Sequence, residues 1–199
     1  PIAEEYVAMD EEFLKLDLSD IHPDGKWIAV GCRASGEWCA FGPLIPDGNE
    51  DLGREDITDI DLIKTITDDG RWMTVVHQTK SGLDRETIRF MGPLAKEAGV
   101  EGEVFSGSFI SDITVDGKWI AGVKYPNGKW GLVGPAAISE GLRFDHPLKP
   151  IMVADGRWVV STGNRLIGPL AHEAGLFGKR FSSCRDVRLL SDRHWYAQV

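Results

Sequence analysis

Short apolar runs recur along the chain, each bounded by turn-forming residues. Four of them follow a tryptophan: IAV (28–30), MTVV (73–76), IAGV (120–123) and VVS (159–161). After each comes a turn and then a second run that ends in Gly-Pro, as in EWCAFGPL (37–44), TIRFMGPL (87–94), KWGLVGPA (129–136) and NRLIGPL (164–170). Runs of this length, punctuated this often, predict strands joined by tight turns. Pro ends the second strand because it has no N–H to continue a ladder. PLAKEAG (93–99) and PLAHEAG (169–175) are each predicted to make one helical turn with Pro near its start, too short to stand alone.

The punctuation is periodic. An Asp-Gly-basic-Trp unit occurs at 24–27, 69–72, 116–119 and 155–158, with a degraded copy, Asp-Arg-His-Trp, at 192–195. The aspartates are 45, 47, 39 and 37 residues apart. Three residues before each stands an apolar side chain: Ile21, Ile66, Ile113, Met152 and Leu189. A period near 40 marks a solenoid or a propeller, in which no unit buries its apolar face alone. In the unit, Asp-Gly supplies the turn, because Gly accepts positive φ and Asp bonds its own downstream backbone. The Trp begins a strand and packs between sheets. The aromatics Phe105, Phe144 and Phe181 stand in the variable stretch that follows a Gly-Pro.

Five turns stand against four Gly-Pro ends, and the termini account for the difference. The chain stops just after the first run of unit five, while its start, EEYVAMDEEF, places Tyr6 four residues before Asp10 with Phe13 following. Residues 1–13 are therefore expected to supply the outer strands of the last unit, closing a ring from both chain ends. The stretch SDIHPDGKWIAV, and its near copy SDITVDGKWIAG, resembles the TolB-like and WD-like propeller repeats. The resemblance spans the chain as a repeat pattern, and the Gly-Pro ending departs from it. What it implies is an all-β, five-bladed β-propeller forming a single domain over residues 1–199.

Composition adds bounds. With 22 Lys and Arg against 31 Asp and Glu, the net charge is −9, and no run of basic residues suits a nucleic-acid backbone. No apolar run approaches a membrane span, and the first residues lack the pattern of a signal peptide. Cys32, Cys39 and Cys184 form no metal or disulfide spacing, so a reducing, cytoplasmic setting is expected. The five histidines show no ligand spacing, and no phosphate-cradling glycine loop, nucleophile elbow or zinc motif is present. Neither a metal nor a cofactor is expected.

A propeller binds at its channel, or on the face made by loops entering the inner strands and loops joining second to third strands. Four residues before each turn aspartate stand Asp20, Thr65, Asp112, Ile151 and Arg188, preceded by Ser19, Lys64, Ser111, Pro150 and Val187. Successive strand residues point oppositely, so one set is expected to face the channel or its mouth. Asp20, Lys64, Thr65, Asp112 and Arg188 are accordingly the candidate channel residues. Lys80, Asp84 and Arg85 belong to the long loop 77–86, the second candidate contact. Five Trp are expected in the core, and Trp38 and Trp130, the better candidates for exposure, are expected to be structural as well. The expected function is a monomeric, non-enzymatic module binding a protein or a small polar ligand. The alternative is a carbohydrate-related protein, either a lectin or a glycosidase with two carboxylates flanking the bond.

Overall fold

The computed structural model describes residues 12–45, 49–53, 57–62, 65–79, 86–137, 142–191 and 194–199, with the backbone alone at 49, 50, 185, 186 and 191. Strand makes up 43% of the chain and helix 6%, an all-β protein built from small antiparallel sheets.

The sheets follow the repeat. The first holds β1 (Phe13–Leu18), β2 (Ala29–Arg33), β3 (Trp38–Phe41) and β4 (Asn49–Gly53), paired in chain order. The second holds β5 (Ile57–Leu62), β6 (Thr74–Thr79) and β7 (Glu86–Met91), followed by the one-turn helix α1 (Pro93–Glu97). The third holds β8 (Ser108–Ile110), β9 (Ala121–Lys124) and β10 (Trp130–Val133). The fourth holds β11 (Ile151–Met152), β12 (Trp158–Ser161) and β13 (Leu166–Ile167), then α2 (Pro169–Glu173). The fifth pairs β14 (Arg185–Ser191) with β15 (His194–Gln198). In sheets two to four the outer strand shrinks to isolated bridges: Ile88 to Phe105, Trp130 to Phe144, and Arg165 to Arg180.

Each turn is one device made four times. The N–H of Gly25, Gly70, Gly117 and Gly156 donates to the carbonyl three residues back at 2.8 Å, with φ of +84° in every copy. That is a hydrogen-bonded β-turn closed by a left-handed glycine, as in common three-residue hairpin loops. The Asp carboxylate is held by the basic residue two positions on, at 2.8 Å in Asp24–Lys26, Asp69–Arg71, Asp116–Lys118 and Asp155–Arg157. The basic side chain then reaches the next repeat. Arg71 Nη2 donates to the Asp116 carbonyl at 3.2 Å, and Lys118 Nζ to that of Asp155 at 3.4 Å.

Trp and Gly-Pro are also coupled. A Cβ on Gly42, Gly92, Gly134 or Gly168 would fall 2.5–2.8 Å from a backbone or ring atom of Trp27, Trp72, Trp119 or Trp158, the tryptophan of the same repeat. The glycine is there to let the tryptophan lie flat on the neighbouring strand.

Adjacent sheets pack face to face. Ile28 and Val30 of sheet one share a core with Ile60, Trp72 and Val76 of sheet two. Met73, Val75 and Phe90 meet Trp119 and Val123. Ile120 and Leu132 meet Trp158 and Val160, and Val159 and Leu166 meet Val187, Trp195 and Ala197. Trp72, Trp119, Trp158 and Trp195 thus pack backwards, and Ile28, Met73, Ile120 and Val159 forwards. Trp38 and Trp130 are 5% and 7% exposed, within these cores and not at the surface.

No closed barrel or propeller ring is detected among the described residues. Of the segment expected to complete sheet five, residues 1–11 lie outside the described residues. Phe13 opens β1 and pairs with Arg33 in sheet one, its ring stacked 5.3 Å from Phe41.

Candidate functional site

The channel candidates are spread over separate repeats. Asp20 and Asp112 lie beyond the ends of β1 and β8 and are exposed, and Thr65 is half-buried. No hydrogen bond or ion pair joins these three to one another among the described residues. Arg188 sits in β14 opposite Tyr196. Lys64, Lys80, Asp84 and Arg85 lie outside the described residues; the loop begins later than expected, since β6 runs to Thr79 and β7 starts at Glu86.

Their neighbours Ser19 and Ser111 turn inward and are structural. The Ser111 N–H donates to the Ile120 carbonyl at 2.9 Å, and its hydroxyl accepts the Ile120 N–H at 3.1 Å and donates to the Asp112 carbonyl. Ser19 does the same with Ile28 and the Asp20 carbonyl. The hydroxyl here takes the place of a ladder carbonyl where the strand has ended.

A large concavity lies elsewhere on the face expected to carry function. Loops entering the inner strands of sheets four and five, and the loop joining β12 to β13, enclose an open cleft of about 880 Å³. Arg143, His146 and Lys149 come from the first loop, Thr162, Asn164 and Arg165 from the second, Arg180, Ser182 and Ser183 from the third. The last two loops are clamped together. The Cys184 N–H donates to the Gly163 carbonyl at 2.8 Å, the Phe181 N–H to that of Asn164 at 2.9 Å, and the Ser161 hydroxyl to that of Cys184 at 2.9 Å. Gly163, at φ +89°, lets the His146 ring close on it: an added Cβ would sit 2.9 Å from His146 Cδ2.

The cleft is cationic in an acidic protein. Arg143 lies 4.0 Å over the Tyr125 ring and Lys149 4.4 Å over that of Phe109, so aromatic faces position both. Arg165 and Arg180 are direct cross-strand partners. None of these four forms an ion pair among the described residues. Asp145, the one carboxylate among the described lining residues, pairs with Lys129, and that hydrogen bond lowers its pKa.

Sequence reasoning missed this cluster because it sought runs of basic residues, and these cations come from separated segments. A signal was nonetheless there. Residues 142–199 hold nine Lys and Arg against five Asp and Glu, whereas residues 1–141 hold 13 against 26.

No family model, curated protein or solved structure matches this chain. Among the described residues, no group of three His, Cys, Asp or Glu side chains is placed to hold a metal, and no helix is long and apolar enough to cross a membrane.

Proposed function

We propose that the chain is a five-bladed β-propeller that acts as a non-enzymatic binding module, taking its ligand on the loop face between repeats three and five. The observation that carries this is the cleft. It is open, walled by hydrogen-bonded loops, and lined by Arg165, Arg180, Ser182 and Ser183, whose side chains have no hydrogen-bond or ion-pair partner among the described residues. Catalysis of glycoside hydrolysis would need two carboxylates facing one another across the bond. Among the described residues the cleft offers one carboxylate, Asp145, already paired. Repeated sugar sites would need exposed rings, and Trp38 and Trp130 are buried.

Support for the ring comes from equivalent positions. Ile28, Met73, Ile120 and Val159, each next to its repeat's Trp, are fully buried against the following sheet; Tyr196, their counterpart in sheet five, is 40% exposed. At the other end, Trp27, Cys39 and Phe41 form a buried cluster on the face of sheet one that turns away from sheet two. The forward face of sheet five thus has the character of one that meets a Trp-bearing face. A closed monomer predicts a radius of gyration of about 16 Å by scattering, and an open array a larger one. Removing residues 1–11, which leaves Phe13 in place in sheet one, is expected to lower the melting temperature while keeping a single cooperative transition; an unchanged melt would refute closure.

Binding is tested by amide NMR of the full chain against neutral sugars, amino acids, organic acids and phosphate esters. Shifts confined to 143–149, 161–165 and 180–187 are expected. A response confined to other surfaces, or none from any of these compounds, would refute the site.

A further inference from the structure

We infer that the cleft binds a phosphate monoester, with Arg165 and Arg180 as the primary anion ligands. This assignment rests on the binding-module reading above and names its ligand class.

The cross-strand pair is the starting point. Arg165 and Arg180 face one another in an antiparallel bridge, where like charges repel and destabilise the pairing. Most basic residues of the repeat turns have a carboxylate within 2.8 Å. This pair has none among the described residues, in a chain whose net charge is −9. Both arginines of this bridge line the cleft, and an external anion bound there relieves the repulsion between them. Each guanidinium presents a planar fork of N–H donors that matches two oxygens of one phosphate, which Lys cannot do.

Further donors complete the set. Arg143 and Lys149 bring two more cations to the same cleft, each aimed by an aromatic ring. The Ser182 and Ser183 hydroxyls line the wall without a partner among the described residues. A carboxylate has only two oxygens to offer such a set, whereas a phosphate monoester carries up to two negative charges and three terminal oxygens. The volume of about 880 Å³ exceeds what a bare phosphate fills and leaves room for the esterified group. Polar contacts along residues 161–165 and the Phe144 ring suit a hydroxylated, sugar-sized body.

Titration of the full-length chain with inorganic phosphate, glucose 6-phosphate and glucose, at constant ionic strength set with chloride, tests the assignment. Expected are saturable shifts of the Gly163, Asn164 and Cys184 amides with both phosphates, with glucose 6-phosphate the tighter of the two. Arg165→Gln with Arg180→Gln should weaken phosphate binding by about tenfold or more, the loss expected when charge-assisted bonds are removed. Without phosphate, the same double variant should melt at a higher temperature than the parent, because the repulsion is gone. Arg157→Gln, in a repeat turn outside the cleft, should bind as the parent does. Equal shifts with chloride alone, or no saturation by either phosphate in the parent protein, would overturn the inference without needing any variant. Cleft shifts with a neutral sugar, absent with phosphate, would overturn it while leaving the binding-module reading intact. Silence from all three compounds would overturn the phosphate assignment, and silence from amino acids and organic acids as well would refute the binding-module reading.

Discussion

Replacing Gly168 by alanine tests the lock between the repeat's tryptophan and its Gly-Pro end. Gly168 has φ 112° and ψ 167°, a region of backbone space that is almost the preserve of glycine. Holding a side chain there costs about 1–3 kcal/mol. The new Cβ would also fall 2.5 Å from both Cε3 and the carbonyl oxygen of Trp158. That tryptophan cannot retreat freely, because its Nε1 donates to the Ala136 carbonyl of the preceding repeat at 2.7 Å and its ring is buried. Overpacking of a fixed neighbour adds about 1–3 kcal/mol. Together these give roughly 2–6 kcal/mol, against total stabilities of about 5–15 kcal/mol for folded domains. Gly175 provides the internal reference. It is also left-handed, at φ +67°, but has open space around its Cβ position, so Gly175→Ala should cost only about 1–2 kcal/mol. Urea unfolding followed by tryptophan fluorescence and far-ultraviolet circular dichroism separates the two, provided the denaturant slope is unchanged. If Gly168→Ala proves no more costly than Gly175→Ala, steric coupling between Trp158 and Gly168 is not what the Gly-Pro end is for.

Two further outcomes are expected. The hydrogen bond from Lys26 holds the Asp24 carboxyl down at about 2, and those from Arg71 and Thr67 hold Asp69 at about 2. Because the folded-state values are depressed, their stabilisation is present above pH 4 and is lost as pH falls from about 4 to about 2. Melting temperature against pH should drop through that window, less steeply in an Asp24→Asn, Asp69→Asn double variant; identical curves would contradict the turn assignment. Ser111→Ala strands the buried Ile120 N–H, a loss of about 1–3 kcal/mol, measurable by denaturant titration. Exposed Ser35, bonded to Glu37, should tolerate the same change within about 0.5 kcal/mol.

Local grammar determined the repeat units and their turns. Asp24-Gly25 and its copies close turns within five residues, and strand ends at Gly-Pro depend on a missing N–H, so both were legible in the letters. The packing of Trp72, Trp119 and Trp158 between sheets followed from the same periodicity. The reason for the glycine of Gly-Pro did not. Trp119 and Gly134 are 15 residues apart, and only the pairing of their strands brings the ring against the backbone. Trp38 and Trp130 are less uniform in the letters but read as structural, and they are buried against the neighbouring sheets. Asp20 and Asp112 read as inner-strand residues from the sequence, but their strands end before them, and the adjacent serines take over the hydrogen bonding. The cleft was decided by tertiary structure alone. Arg143, Lys149, Arg165 and Arg180 are strangers along the chain, and stacking of one repeat on the next converts four scattered charges into one cationic wall. A turn needs only its own neighbours, whereas a binding site needs distant segments held at a common place.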